Sequence, residues 1–351
     1  MEPMPTTGRL ARDQLGRGLR ELRISVTDRC NFRCGYCMPE DSFRDETHFL
    51  PHAEILSFEE IARLAGVFAQ VGVHKLRLTG GEPLLRRELP KLVSWLAQLP
   101  GIDDLALTTN GYLLAEHARS LRDAGLSRIT VSLDSLDPSV FARMSGGSEP
   151  QGEQRLARVL SGIDAALAAG FAQLKLNCVV IAGQNEDSLL ALAERFRGTP
   201  HIVRFIEYMD VGTQNHWRAS EVVSAAEIVS RIGARWPLEA LPPQHRGEVA
   251  QRFRYRDGQG EIGVIASVTQ PFCGDCQRAR LSADGRLLTC LFAAHGCDLK
   301  GPLRAGESDA QLATRLRHAW SARSDRYSEL RAERLQPSAA RRRLEMYQVG
   351  G

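Results

Sequence analysis

The sequence predicts an α/β fold whose main part is an incomplete (β/α)6 TIM-type barrel, followed by a smaller C-terminal α+β region. Short apolar runs alternate with longer helical patterns from residue 21 to about residue 209, which is typical of βα units on a parallel sheet. We count six such units, fewer than the eight of a closed barrel. The alternation stops after residue 209, and the segment 236–250 has three prolines and little periodicity.

The elements follow from local patterns. A capping box, Ser57 with Glu60, precedes apolar residues at helical spacing and predicts the first helix. The stretch 146–154 is rich in glycine and charge and is expected to be a loop. The strands are expected near 21–27, 74–79, 104–109, 128–134, 173–181 and 202–208, and the other helices near 86–98, 113–124, 153–169 and 186–197.

The predicted strands have one polar face. Period-two alternation places Arg23, Arg77, Ser132 and Lys175 on the same side of successive strands, with leucine, isoleucine and valine on the other. A closed barrel that is filled by its own side chains would be apolar inside. The polar face therefore predicts a lumen that holds a large polar ligand.

Composition limits the class of protein. The 351 residues are 43% hydrophobic and 25% charged, as in globular proteins, and the net charge of +3 is too small to predict a nucleic-acid surface. No apolar run is long enough to span a membrane and the N-terminus has no apolar signal region, so we expect a cytoplasmic protein. The expected parts are an N-terminal arm (1–20), the partial barrel (21–220) and a C-terminal region (221–351).

Three cysteines, Cys30, Cys34 and Cys37, lie within eight residues after the first predicted strand. Closely spaced thiolates suit an iron-sulfur cluster, and three of them leave one iron of a four-iron cluster without a protein sulfur. The alternative is a zinc knuckle completed by His48 or His52.

The C-x3-C-x2-C spacing, with Tyr36 directly before the last cysteine, resembles the radical S-adenosylmethionine (SAM) enzymes. In those enzymes the open iron binds the amino and carboxylate groups of SAM. The segment Thr79 to Pro83, TGGEP, follows the second predicted strand and resembles the motif that holds the SAM amino group.

A second group of cysteines lies in the C-terminal region at Cys273, Cys276 and Cys290. Taken alone, the spacing is compatible with zinc as well as with a second iron-sulfur cluster. Arg278 and Arg280 lie on one side of a short strand beside it, and such guanidinium pairs suit phosphate or carboxylate. Two solvated surface arginines are the alternative.

From about Arg23 to the terminal Gly350-Gly351 pair, the chain resembles the GTP 3′,8-cyclase family of molybdenum cofactor (molybdopterin) biosynthesis. The shared motifs are SVTDRCNFRCGYCMPE, LRLTGGEPLLRR, TTNG, SLDSLD, FIEYMDVG and SVTQPFCGDCQRARLSADG. The resemblance implies a radical SAM lyase that converts GTP to (8S)-3′,8-cyclo-7,8-dihydroguanosine 5′-triphosphate. A 5′-deoxyadenosyl radical would take the hydrogen from the ribose C3′.

The resemblance also implies cofactors and site residues. Two [4Fe-4S] clusters and SAM are expected, with Cys30, Cys34 and Cys37 on the first cluster. The second cluster would be on Cys273, Cys276 and Cys290, and SAM would be bound by Tyr36, Gly81, Ser132 and Met209. GTP would be bound by Arg23, Lys75, Arg77, Thr108, Lys175, Arg204, Arg278, Ala279 and Arg280, of which Arg278 and Arg280 are also assigned catalytic roles.

The resemblance implies partners as well: a reducing electron-donor protein and a downstream pterin-forming enzyme, with a homodimer allowed. A side-chain-free Gly350-Gly351 tail could enter a narrow cavity and place its backbone near a charged residue. We expect Cys178 to be a core thiol and Cys297 to lie outside both clusters. The alternatives are a peptide-modifying radical SAM enzyme with an auxiliary cluster and a non-catalytic iron-sulfur electron carrier.

Overall fold

The computed structural model describes residues 10–40, 49–331 and 343–350. His48, one of the alternative zinc ligands, and the terminal Gly351 lie outside these ranges. Within the described ranges, no helix is both long enough and apolar enough to cross a membrane.

The strands of the described chain form one twelve-stranded sheet in the order β12-β11-β10-β1-β2-β3-β4-β5-β6-β9-β8-β7. β1 to β6 are parallel to their neighbours, as expected of βα units. The strands are β1 (Glu21–Ser25), β2 (Lys75–Thr79), β3 (Asp104–Thr109), β4 (Arg128–Ser132), β5 (Leu174–Val180), β6 (Ile202–Glu207), β7 (Leu238–Leu241), β8 (Gln251–Tyr255), β9 (Glu261–Ile265), β10 (Arg278–Leu281), β11 (Arg286–Leu288) and β12 (Cys297–Asp298).

Helices follow the parallel strands and pack on the apolar face of the sheet. The capping box at the start of the first helix is present, since Ser57 accepts from the Glu60 N–H and the Glu60 carboxylate accepts from the Ser57 N–H. The helices are α1 (Phe58–Gln70), α2 (Leu89–Ala97), α3 (Leu114–Asp123), α4 (Pro138–Ser145), α5 (Glu149–Ala168), α6 (Ser188–Phe196), α7 (Ala225–Arg235), α8 (Lys300–Arg304), α9 (Asp309–Ser321) and α10 (Met346–Val349).

The stretch 146–154 is not the loop that the sequence predicted. The α5 helix begins at Glu149, with Ser148 as its N-cap and Pro150 in its first turn, where a missing N–H costs nothing. The preceding helix α4, which starts at Pro138 after Asp137, was not predicted either. Proline and charge at a helix start resemble loop composition, and this misled the prediction.

Two C-terminal strands extend the parallel sheet at opposite edges. β10 pairs in parallel with β1, and β9 pairs in parallel with β6. The register places Arg23 directly between Arg280 of β10 and Arg77 of β2. The sequence predicted six parallel strands but not these two additions, because pairing between distant short strands leaves no periodic signal.

The alternation of side chains follows the prediction. Leu22, Ile24 and Leu176 are fully buried in the main core between sheet and helices, and Cys178 is a core thiol, as expected. The opposite face of the same strands lines an internal cavity and carries most of the polar residues described below.

Glu207, at the end of β6, is buried and ties three segments together. Its carboxylate accepts hydrogen bonds from the N–H of Ala225 at the start of α7 (2.7 Å) and from the N–H groups of Val268 (2.7 Å) and Thr269 (2.8 Å) after β9. This one carboxylate thus reinforces the attachment of the C-terminal region to the barrel that the pairing of β9 with β6 provides.

We expect Glu207→Ala to lower the free energy of unfolding by about 3 kcal/mol or more, because several buried donors lose a charged acceptor. Urea-induced unfolding of the cysteine-reduced, iron-free protein measures the change. Glu239→Ala is the matched control, since Glu239 pairs with Arg254 in an exposed ion pair and its loss should leave stability nearly unchanged. Equal stabilities of the two variants would contradict the role given to Glu207.

Candidate active site

One internal cavity is lined by six cysteines from the two ends of the chain. Cys30, Cys34 and Cys37 belong to the loop after β1, and Cys273, Cys276 and Cys290 flank β10 and β11. None of the eight cysteines is in a disulfide. Cys297 is exposed on the edge strand β12 and does not line the cavity. Both trios therefore face the same space.

The first cysteine loop packs directly against the glycine pair that follows β2. The N–H of Gly81 donates to the carbonyl oxygen of Thr27 (2.8 Å), and the N–H of Glu82 donates to that of Arg29 (2.8 Å). A Cβ on Gly81 would overlap the Arg29 carbonyl oxygen. Glycine is thus needed here because two stretches of backbone lie in direct contact. The sequence pattern alone could not distinguish this need from close contact with a ligand.

Glu82 and Asn110 connect two strand ends to the cysteine loop. The buried Glu82 carboxylate accepts from the Thr109 hydroxyl (2.7 Å) and from the Asn110 N–H (2.7 Å) at the end of β3. Asn110 Nδ2 in turn donates to Asn31 Oδ1 (2.8 Å), next to Cys30. Burial raises the pKa of Glu82 to about 7 despite these hydrogen bonds. Neither residue was assigned an individual role from the sequence.

Tyr36 reaches across the cavity to the end of β4. Its hydroxyl donates to Asp134 Oδ2 (2.9 Å), while Asp134 Oδ1 accepts from the N–H of Val179 on β5 (2.9 Å). Burial raises the pKa of Asp134 to about 6. The four residues assigned to SAM all line the cavity: Tyr36, Gly81, Ser132 and Met209.

Arginines from neighbouring strands line the middle of the cavity, together with Thr108: Arg23, Arg77, Arg204, Arg278 and Arg280. Arg77 donates to the hydroxyls of Thr108 (3.1 Å) and Thr130 (3.2 Å), and its Nε is buried without a hydrogen-bond partner. Arg204 Nε donates to Asn177 Oδ1 (2.9 Å). These partners are neutral, so they satisfy donors without balancing charge.

One carboxylate, Glu21, lies close to this group. Its Oε1 pairs with Arg23 Nε (3.3 Å) and lies 3.9 Å from Arg77 Nε. Burial alone would raise the pKa of Glu21. The positive charges of Arg23, Arg77 and Arg278 together have the larger effect and lower it to about 2. Burial and the neighbouring guanidinium groups lower the pKa of Arg77 to about 10 and that of Arg204 to about 9. Arg323 also lines the cavity, and the six lining arginines outnumber Glu21 and the two carboxylates of the described lining, Asp134 and Asp325, which favours an anionic ligand.

Three of the residues assigned to GTP lie apart from that lining. Lys175 is half-buried on β5, and burial and the charge of Arg204 lower its pKa to about 8. Lys75 lines a separate basic cavity at the amino ends of the strands, together with Arg20 and His74. Ala279 is fully buried in the main core, so only its backbone could meet a ligand.

The second cysteine loop is surrounded by positive charge. Burial raises the pKa of Cys276, but the charges of Arg278 and Arg323 outweigh this and lower it to about 7. Among the described residues, no group of three His, Cys, Asp or Glu side chains is close enough to hold a single metal ion. Three cysteine thiols beside cationic side chains are a donor set compatible with an iron-sulfur cluster as well as with zinc.

The C-terminal tail enters the site. The Arg280 guanidinium donates to the carbonyl oxygens of Val349 (3.0 Å) and Gly350. Gly350 has φ +71°, and a Cβ there would overlap the side chain of Thr79. This agrees with the expectation that the tail places its backbone near a charged residue, and it explains the need for glycine.

Comparison with known proteins identifies the class. Residues 24–196 match the profile of the Radical SAM superfamily, and residues 201–329 match Molybdenum Cofactor Synthesis C. The crystal structure of Streptococcus suis SuiB bound to S-adenosylmethionine superposes with a TM-score of 0.60 at 15% identity, over 92% of this chain and 70% of that chain. The chain has the fold of a radical SAM enzyme, a class that implies a [4Fe-4S] cluster and SAM.

Closer relatives define the family. The GTP 3′,8-cyclase of Acidothermus cellulolyticus is 58% identical over 92% of this chain and 88% of its own length. That of Xanthomonas campestris is 56% identical over 97% of both chains, and that of Staphylococcus saprophyticus is 45% identical over 97% of this chain and 98% of its own. The chain belongs to the GTP 3′,8-cyclase family.

We expect Gly81→Ala to displace the first cysteine loop, because the new Cβ would collide with the Arg29 carbonyl oxygen. The iron that the variant takes up on anaerobic reconstitution should fall by about four atoms per chain, the content of one cluster. Gly35→Ala is the matched control, since Gly35 lies in the same loop and an added Cβ meets nothing within 4 Å. Full iron uptake by Gly81→Ala would show that the glycine is not needed for this packing.

Proposed function

We propose that this chain converts GTP to (8S)-3′,8-cyclo-7,8-dihydroguanosine 5′-triphosphate, the cyclase reaction of molybdenum cofactor biosynthesis. The observation that carries the proposal is a buried group of arginines between two cysteine trios in one cavity. A triphosphate supplies the negative charge that this group lacks, and guanidinium forks bind phosphate oxygens in pairs.

The arginines of three adjacent strands would bind the triphosphate. Arg280, Arg23 and Arg77 are held in one row by the register of β10, β1 and β2. Arg77 is oriented by the hydroxyls of Thr108 and Thr130, so its charge is fixed in place before the substrate arrives. Prior orientation reduces the entropy that binding must overcome.

Cys30, Cys34 and Cys37 would hold the first cluster, with SAM against Tyr36, Gly81, Ser132 and Met209. When bound and reduced, cluster and SAM supply the 5′-deoxyadenosyl radical that takes the C3′ hydrogen of GTP. The partly buried Tyr36 and the buried Asp134, which are hydrogen-bonded to each other, line this end of the cavity and would limit the access of water to it.

Cys273, Cys276 and Cys290 would hold a second [4Fe-4S] cluster whose open iron meets the guanine base. The charges of Arg278 and Arg323 beside Cys276 support thiolate ligation there. With the base held at this end and the triphosphate on the arginines, ribose and base would be kept in a geometry suited to ring closure within one molecule.

Further partners follow from the chemistry. The reaction needs a reducing electron-donor protein, and its product needs a downstream pterin-forming enzyme. The free cysteines support a reducing compartment, which we take to be the cytoplasm. A homodimer remains a prediction.

Anaerobic turnover with GTP deuterated at C3′ tests the proposal. The reconstituted enzyme should carry about eight irons per chain and transfer deuterium to 5′-deoxyadenosine. Deuterium-free 5′-deoxyadenosine would overturn the assignment of the abstracted hydrogen. Turnover of a supplied peptide without GTP would favour the peptide-modifying alternative, and absence of SAM cleavage in a fully loaded, reduced protein would favour the electron carrier.

We expect GTP affinity to weaken as the pH rises from 7 to 9. Lys175 loses its proton above its lowered pKa of about 8, and neutral lysine attracts phosphate less. Isothermal titration with GTP should show a Kd that increases by up to about tenfold, since roughly a tenth of this group stays protonated at pH 9. Lys175→Arg keeps its charge throughout and should lack this part of the increase; an identical pH profile in both proteins would refute the role of Lys175.

A further inference from the structure

An ion triad of Asp13, Arg17 and Arg323 lies beside the second cysteine loop. Asp13 Oδ2 pairs with Arg17 Nε (2.5 Å) and with one guanidinium nitrogen of Arg323 (3.2 Å). The side chains of both arginines are 1% exposed and that of Asp13 is fully buried. Asp13 and Arg17 come from the segment before β1, whereas Arg323 follows α9 some 300 residues later.

Both arginines hold the backbone of the cysteine loop itself. Arg17 donates to the carbonyl oxygen of Cys273 (2.7 Å), and Arg323 donates to that of Cys276 (2.8 Å). Two cysteines of the trio are thus fixed through their own carbonyl groups by two cations that share one carboxylate. Arg17 also donates to the carbonyl oxygen of Asp325 (2.8 Å), which ties the loop to the chain after α9.

The arm that supplies Arg17 is itself anchored. The carbonyl oxygen of Arg17 accepts from Trp320 Nε1 (3.0 Å), and the Gln14 N–H donates to the carbonyl oxygen of Arg323 (3.2 Å). The Arg20 and Glu21 N–H groups both donate to the carbonyl oxygen of Gln277, the residue after Cys276 (3.1 Å each). Residues 13–21 therefore pack along the second cysteine loop and are hydrogen-bonded to it.

The charges and the unbonded nitrogens of the triad indicate which part of the molecule it stabilises. Two buried guanidinium groups share Asp13, and Arg323 Nε also lies 3.6 Å from Asp325 Oδ2. One nitrogen on each arginine, Arg17 NH2 and Arg323 Nε, is buried without a hydrogen-bond partner. Buried donors that lack an acceptor are costly, and three thiolates carrying a cluster would place negative charge beside them.

We propose that Asp13, Arg17 and Arg323 are positioning residues for the second iron-sulfur centre, so that the N-terminal arm is part of that centre. The inference rests on the proposed second cluster. The triad holds the C-x2-C loop open toward the cavity and places positive charge behind its thiolates. Asp13 and Arg17, which belong to the segment that the sequence marked only as an arm, thereby act on the substrate end of the cavity.

Arg17→Met tests the proposal. It removes the hydrogen bonds of Arg17 to the loop, while the buried Asp13 keeps Arg323 as its cationic partner. After anaerobic reconstitution, iron should fall from about eight to about four atoms per chain, while the first centre still binds SAM. Arg17→Lys keeps charge and partial donation and should recover part of the missing iron. Arg12→Gln, at an exposed arginine of the same arm, should keep the full content.

Spectroscopy separates positioning from general destabilisation. In the reduced Arg17→Met protein, the electron paramagnetic resonance signal that GTP perturbs should be lost, while the signal that SAM perturbs persists. The role would be purely structural if both Arg17→Met and Arg17→Lys lost both signals and their cooperative thermal transition. Full iron content with both signals present in Arg17→Met would also overturn the proposal.

Cys290→Ser provides the reference that keeps the two proposals apart. If the second cluster exists, this variant loses about four irons and Cys297→Ser loses none. If wild type and Cys290→Ser hold the same iron, the proposed cluster itself is wrong. If Cys290→Ser loses iron and Arg17→Met does not, the cluster stands and the positioning role is refuted.

Discussion

Buried like charge is the constraint on which this structure depends. Six arginines line one cavity, whose described lining holds two carboxylates, Asp134 and Asp325, and burial and mutual repulsion lower the pKa of Arg77 and Arg204. A fold does not retain such a group for stability, because burying unbalanced cations costs free energy. The arrangement is understandable if the cavity holds a strongly anionic substrate, and the GTP of the cyclase family is one.

The sheet topology brings this group together. Parallel strands place their side chains in register, and the pairing of β10 with β1 adds Arg280 to the row that Arg23 and Arg77 begin. The same strand carries the second cysteine loop to the barrel, so one pairing brings both a cation and a cysteine trio to the cavity. The first cysteine loop is fixed at the other side through the glycine pair after β2, which leaves the cavity between the two trios.

The sequence predicted the six inner strands, the polar face and both cysteine trios, because period-two alternation and cysteine spacing are local signals. It did not predict the parallel pairing of β9 and β10 with the inner strands, helix α4 or the start of α5, since strand pairing over long separations and proline-rich helix starts carry no such signal. It also missed the Asp13, Arg17 and Arg323 triad. Asp13 and Arg17 are four residues apart, but no periodic pattern surrounds them, and their partner lies at the far end of the chain.

An anaerobic crystal structure of the reconstituted protein with GTP and SAM tests the central claim most directly. The account predicts one cluster on each cysteine trio, with the triphosphate against Arg23, Arg77 and Arg280 between them. A nucleotide bound outside this cavity, or a single metal ion on Cys273, Cys276 and Cys290, would contradict it.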